Sequence, residues 1–234
     1  MQIDILTLFP SLFDSVFSQS IIKKAVDKKI VKIKITDIRD FAEGSHKTVD
    51  DKPYGGGVGM IMMAPPVVKA VESVKSRWNR DKFQVKSKKE RIILLSPQGK
   101  IFNQKKAKEF SKYKHLIFVC GHYGGVDERV LKFVDEEISI GDYVLTGGEI
   151  PTMAVVDAVV RILPKVVAKS DSIKKDSHWS GGLASSVWTR PYNFRNLSVP
   201  EILLSGNHKE IEKWREENAR QNTLSKRPEL LKKK

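Results

Sequence analysis

The chain has 234 residues, 40% of them hydrophobic, enough to bury the core of one large domain or two small ones. Lys plus Arg is 42 and Asp plus Glu is 28, a net charge of +14 that points to a nucleic-acid partner, because phosphate contacts are made by Lys and Arg; a merely solvated basic surface is the alternative. Cys120 is the single cysteine, which excludes an internal disulfide and a cysteine-built zinc site, and no apolar run approaches the ~20 residues of a membrane span.

The N-terminal Met1-Gln2-Ile3-Asp4 lacks a basic leader before an apolar stretch, so no signal peptide is expected and the cytoplasm is the expected location. Residues 3–8 read as a strand closing in a Phe9-Pro10 turn, after which Ser11 is expected to cap a helix over 12–17. A second helical stretch covers 20–28. Over 31–35 apolar residues alternate with lysines, the pattern of a half-buried strand. A polar loop over 39–59 ends in Asp50-Asp51-Lys52-Pro53-Tyr54 and a run of glycines. Pro65 and Pro66 open a helix through Trp78, followed by a lysine-rich surface excursion over 79–90. Strand and helix then alternate over 91–95, 103–113, 116–119, 127–134, 137–140 and 149–163, which predicts an α/β domain with a mostly parallel sheet. Pro164 stops the last helix. Residues 167–176 read as a basic linker. Residues 177–234 show no strand alternation and hold one strong helix over 209–221 and a shorter one near 228–231, a small helical second domain ending in a frayed Lys232-Lys233-Lys234 tail.

Three of the strands run into glycine-rich polar loops: Ser96-Pro97-Gln98-Gly99, then Gly121-His122-Tyr123-Gly124-Gly125, then Gly141-Asp142-Tyr143-Val144-Leu145-Thr146-Gly147-Gly148-Glu149. Glycine lets backbone turn sharply or approach a ligand closely. Ligands of α/β sheets sit at the carboxyl ends of strands, so three such ends predict one composite small-molecule pocket, with plain turns as the alternative. No loop carries a dinucleotide fingerprint or the Lys-Ser/Thr pair of a P-loop. In the apolar helix over 149–163, Asp157 and Arg161 stand four apart on one face, readable as a buried pair or, for Arg161, as a charge presented to a substrate oxygen. Asp176 reads as the N-cap of a following helix or as a general base on a mobile loop. Cys120 reads as a small buried thiol rather than a nucleophile, and the five histidines show no metal-ligand spacing. Trp188-Thr189-Arg190-Pro191-Tyr192-Asn193-Phe194-Arg195 and Lys213-Trp214-Arg215 interleave aromatics with cations, a pattern that suits unstacked bases and phosphates and equally suits core-edge tryptophans.

With these residues in view the chain resembles the bacterial tRNA (guanine-N1-)-methyltransferase family, from residues 3–10 to residues 226–231. The specific stretches are 50–60, 95–99, 121–129, 139–151, 189–191 and 200–208. The resemblance implies a SPOUT-type fold, a knotted α/β domain over 1–167, a flexible linker over 168–176 and a helical tRNA-binding domain over 177–234. It implies S-adenosylmethionine held in the trefoil knot by Leu95, Ser96, Pro97, Gln98, Gly121, Tyr123, Gly125, Ile140, Gly141, Asp142, Tyr143, Val144, Leu145, Gly147, Gly148 and Pro151. It further implies a homodimer with active sites built from both subunits, Asp176 as general base and Arg161 as the essential arginine, acting on the guanine at tRNA position 37. A Mg²⁺ requirement is left open. One departure stands out. The family loop is commonly Cys-Gly-Arg-Tyr-Glu-Gly, and here His122 replaces the arginine and Gly124 the glutamate. Weaker cofactor affinity is expected, or substitution by another carboxylate such as Glu149 or Asp142. Two other readings fit the charge and the loops: a non-catalytic RNA-binding α/β protein, and a methyltransferase of the same fold acting on another RNA.

Overall fold

The computed structural model describes residues 1–81, 90–167 and 170–231. Most of the expected lysine-rich excursion and the tail 232–234 lie outside them. The chain divides into two compact units, Met1–Ala168 and Lys169–Lys234.

The first unit carries β1 (Gln2–Thr7), α1 (Asp14–Phe17), α2 (Ser20–Asp27), β2 (Lys32–Asp37), the short antiparallel pair β3 (Asp50–Asp51) and β4 (Ile61–Met62), α3 (Ala64–Asp81), β5 (Glu90–Ile101), α4 (Gln104–Phe110), β6 (His115–Cys120), β7 (Glu136–Ser139) and α5 (Glu149–Val160). Five strands form a wholly parallel sheet in the order β2-β1-β6-β5-β7, the α/β architecture that the alternation predicts. A parallel sheet is covered on both faces, and β6 at its centre buries all six residues. Alternate strand positions feed opposite layers. Ile93, Leu95, Leu116, Phe118 and Cys120 pack with Val155, Val156 and Val159 of α5. Ile92, Leu94, Ile117 and Val119 pack with Val67, Ala70, Val71 and Val74 of α3, which recur at helical spacing.

Three local expectations are corrected. Ser11 caps nothing: Pro10 starts a 3₁₀ turn over Pro10–Phe13 behind Phe9, and proline is at home in a first helical turn. Residues expected as a helix over 127–134 form a 3₁₀ helix, Glu128–Phe133. Its start is set by the Asp127 carboxylate, which accepts the Arg129 backbone N–H at 2.9 Å. The loop expected after residue 95 is a bulge inside one long strand. Leu95 and Lys100 both stand opposite Ile138 of β7, and residues 96–99 are extruded between them. Gly99 closes that bulge directly on β7, where any Cβ would run into the backbone of Glu137 and Ile138.

In the second unit the expected linker contains a helix, α6 (Ser170–Lys174). A hairpin of β8 (Asn193–Phe194) and β9 (Leu197–Ser198) follows, which residue alternation did not reveal. Its turn residues Arg195 and Asn196 have φ of 51° and 64°, the two left-handed positions of a type I′ turn. The long helix α7 (His208–Lys226) begins where the Asn207 side chain accepts the Glu210 N–H at 3.3 Å.

Candidate functional site

The bulge of β5 and the carboxyl ends of β6 and β7 converge on a pocket of about 410 Å³, within the range of small-molecule sites. Leu95, Ser96, Pro97, Gln98, Gly121, Tyr123, Gly125, Ile140, Gly141, Tyr143, Val144, Leu145, Gly147, Gly148 and Pro151 line it, and Asp142 does not. The parallel order β6-β5-β7 explains the convergence: all three strands deliver their loops to one edge.

Close backbone approach shapes the floor. A Cβ on Gly148 would sit 2.8 Å from Cys120 Cα and 2.9 Å from Gly121 N, so only glycine lets the start of α5 meet the end of β6 there. The Gly148 N–H donates to the Gly121 carbonyl at 2.7 Å. The loop after β6 is stitched to β4: the Gly124 N–H donates to Met60 O at 2.8 Å and the Met62 N–H to Gly125 O at 2.9 Å. Tyr123 takes a φ of 59° and Gly125 one of 128° to make these bonds. A side chain at Gly124 would press on Met60 O at 3.1 Å and Ile61 Cδ1 at 3.2 Å.

Beneath the floor lies a polar cluster. The Thr7 hydroxyl accepts the Phe9 N–H at 2.9 Å and donates to Glu149 Oε1 at 2.7 Å. Glu149 is only 3% exposed and occupies the first turn of α5, where the helix dipole favours negative charge. His122 lines the pocket, with its Nδ1 3.8 Å from Glu149 Oε2 and without a hydrogen-bond partner. Burial, reinforced by the charge of Glu149, pushes the Cys120 thiol far above its ordinary range, against a 3.2 Å contact with Thr152 Oγ1. A thiol held protonated in this way is no nucleophile. Neither Glu149 nor Asp142 reaches the pocket wall in place of the glutamate that Gly124 lacks.

The wall does carry two carboxylates that the sequence reading passed over, Glu128 and Glu137. Among the described residues they are its only Asp, Glu, Lys or Arg, in a chain of net charge +14. Glu137 was hidden as an ordinary strand residue and Glu128 as the start of a helix. Only the junction of strand ends in space reveals them.

Arg161 caps the far end of α5, its N–H donating to Asp157 O at 3.1 Å. From Pro151 to Arg161 is 161 − 151 = 10 residues, roughly 15 Å of helical rise. The pocket of the same chain does not include it. Asp157 is exposed, so the buried-pair reading of these two residues does not hold. Asp176 is exposed in the second unit. It follows α6 and caps no helix, since turns run from there to residue 182. In the aromatic segment Trp188 packs on Trp214 with ring centroids 5.3 Å apart, while Tyr192 and Phe194 of the hairpin arm stand more than half or about half exposed. Among the described residues no group of three or more His, Cys, Asp or Glu is gathered for a metal, and no helix is long and apolar enough to cross a membrane.

A family model described as tRNA (Guanine-1)-methyltransferase TrmD matches residues 1–233. A tRNA (guanine-N(1)-)-methyltransferase of Dictyoglomus turgidum is 51% identical over 233 residues, covering 100% of this chain and 91% of that protein. Proteins of the same name from Listeria monocytogenes and Bacillus pumilus are 49% and 48% identical, each covering 99% of this chain and 92% of the relative.

Proposed function

The chain belongs to the tRNA (guanine-1)-methyltransferase family, and we propose that it methylates N1 of the guanine at position 37 of tRNA with S-adenosylmethionine as methyl donor. The observation that carries this reading is the pocket itself: three loops in a strongly basic chain line a cavity whose only fully charged wall residues, among the described residues, are acidic. Such a wall repels phosphate and accepts a cation, so the pocket suits a sulfonium compound, and RNA is left to the basic surface outside it. Gly147 and Gly148 have no room for a Cβ, which would meet Glu149 and His122 at the first and the Cys120–Gly121 backbone at the second, so main chain forms this part of the pocket.

The methyl donor supplies an electrophilic methyl group on positively charged sulfur. The residues do the rest. Guanine N1 carries a proton that must leave as the new N–C bond forms, and Asp176 takes it. The Arg161 guanidinium steadies the negative charge that develops on guanine O6. Holding nitrogen and methyl in line contributes most of the remaining acceleration. The base edge is reached only when the nucleotide is splayed out of its stack. The family resemblance implies a homodimer, in which the site is built from both subunits.

Methyl transfer to tRNA transcripts with guanosine or adenosine at position 37 tests the reading. Incorporation into the first alone is expected, and equal incorporation removes the position assignment. Asp176→Asn is expected to lower turnover by about 10²–10⁴-fold with donor affinity unchanged. Near-normal turnover removes the general base. Arg161→Ala is expected to lower turnover as well; a change confined to the KM for tRNA makes it a binding residue.

A further inference from the structure

The two wall carboxylates are unlike the acids next to them in the chain. Glu136, next to Glu137 on β7, is saturated: Arg91 Nε meets its Oε1 at 2.7 Å and Lys106 Nζ its Oε2 at 3.0 Å. Successive strand residues point to opposite faces, so these cations serve Glu136 and not Glu137. Asp127, next to Glu128, is likewise taken up by Arg129, at 2.9 and 2.7 Å. Among the described residues no hydrogen bond or ion pair reaches the side chain of Glu128 or of Glu137. Each has a neighbour that absorbs the local cation, and each lies on the wall of a cavity that has no Lys or Arg among its described residues.

We infer that Glu128 and Glu137 are specificity-determining residues that make the pocket a charge filter, favouring a cationic methyl donor over the neutral thioether product. The inference rests on the methyl-donor reading of the pocket. It assigns to Glu128 and Glu137 the negative charge that Gly124 cannot supply and that Glu149, buried below the floor, does not present at the wall. Transfer of the methyl group converts sulfonium to thioether, so the attraction that helps the donor in is gone when the product has to leave. Because positive charge moves off sulfur as the bond to carbon breaks, this attraction is stronger in the ground state than in the transition state. It contributes to affinity and does not raise the rate at saturation.

Calorimetry with S-adenosylmethionine, S-adenosylhomocysteine and the amine analogue sinefungin tests the assignment on the full-length protein. For Glu128→Gln and Glu137→Gln, each partly solvated, we expect the two cationic ligands to weaken roughly fivefold to tenfold per substitution, and the neutral thioether to change less than about twofold. The KM for S-adenosylmethionine is expected to rise, and kcat is expected not to fall. Equal weakening of all three ligands, or no weakening, overturns the filter. If the unaltered protein binds none of the three, the methyl-donor reading itself fails, an outcome distinct from the first. A thermal melt of each variant separates misfolding from lost charge, and Glu128→Asp, which keeps the charge, is expected to retain the preference for the cationic ligands.

Discussion

The first unit buries Ile93, Leu116, Ile117 and Phe118 completely between two helical layers. In the second, among the described residues, only Ile173, Ile211 and Thr223 are buried. The second unit is held instead by polar stitches from α7. Thr223 Oγ1 accepts the Leu183 N–H at 3.0 Å, Asn218 Oδ1 accepts the Ser186 N–H at 2.8 Å, and Asn222 Nδ2 donates to Ala184 O at 3.2 Å. A close-packed apolar core holds backbone in place and so can build a pocket from main chain. A thin, hydrogen-bonded unit opens locally at low cost, which suits a part that must adjust to a macromolecule. Under the proposed function, the contrast would give methyl-donor recognition to the first unit's backbone and RNA adaptation to the second unit's side chains.

The largest expected effect that breaks this comparison is Gly148→Ala. The new methyl meets backbone on both sides, at Cys120 Cα and Gly121 N, and backbone cannot swing away. Overpacking of this kind costs about 1–3 kcal/mol and displaces the floor, so methyl-donor binding by calorimetry should be lost together with several degrees of Tm. The matching change in the second unit, Gly182→Ala, meets only the Thr223 side chain, its Oγ1 at 3.1 Å, and should leave methyl-donor binding untouched. Retained affinity in Gly148→Ala sinks the view that main chain builds the pocket. A middle-sized effect comes from Thr223→Val, which keeps the shape but leaves the Leu183 N–H and the Ala219 carbonyl without this partner. At about 1–3 kcal/mol for an unsatisfied buried group, hydrogen exchange over 183–187 should quicken while methyl-donor affinity holds. A fall in that affinity joins the two units more tightly than the comparison allows.

What the sequence disclosed follows the same division. The glycine loops were legible because a backbone site needs residues without a Cβ, and Gly148 and Gly99 announce themselves. The strand order was not, nor that Leu95 and Lys100 both meet Ile138, because register is set by partners far along the chain. The contact between Thr7 and Glu149 spans 142 residues, and no local pattern records it. In the second unit the hairpin escaped because two-residue strands are too short to show alternation, although Arg195-Asn196 at its turn lies between aromatic and apolar residues. Asp157 looked buried because its helix is apolar, yet it falls on the exposed stripe of α5.

The smallest effect comes from the opposite edge of the sheet. At the amino ends of β1, β5 and β6, the fully buried His115 places Nε2 2.9 Å from Asp4 Oδ2 and Nδ1 3.0 Å from Glu90 Oε2. Burial opposes its charge, but the hydrogen bonds to Asp4 and Glu90 outweigh burial and hold its pKa above the ordinary histidine value. A group whose pKa is raised on folding binds its proton more tightly in the native state. Its stabilisation is therefore complete below the unfolded value near about 6.5 and is lost as pH rises through the higher folded value. The Tm advantage of the unaltered protein over His115→Gln should thus be largest near pH 6 and shrink towards pH 9. The change should be of the order of 2–4 °C, which is what about 1 kcal/mol amounts to in a unit of this size. Methyl-donor affinity, set at the other edge, should not follow that profile. An advantage that grows with pH would mean that His115 is held neutral, and the two carboxylates would then have to be carried by other partners.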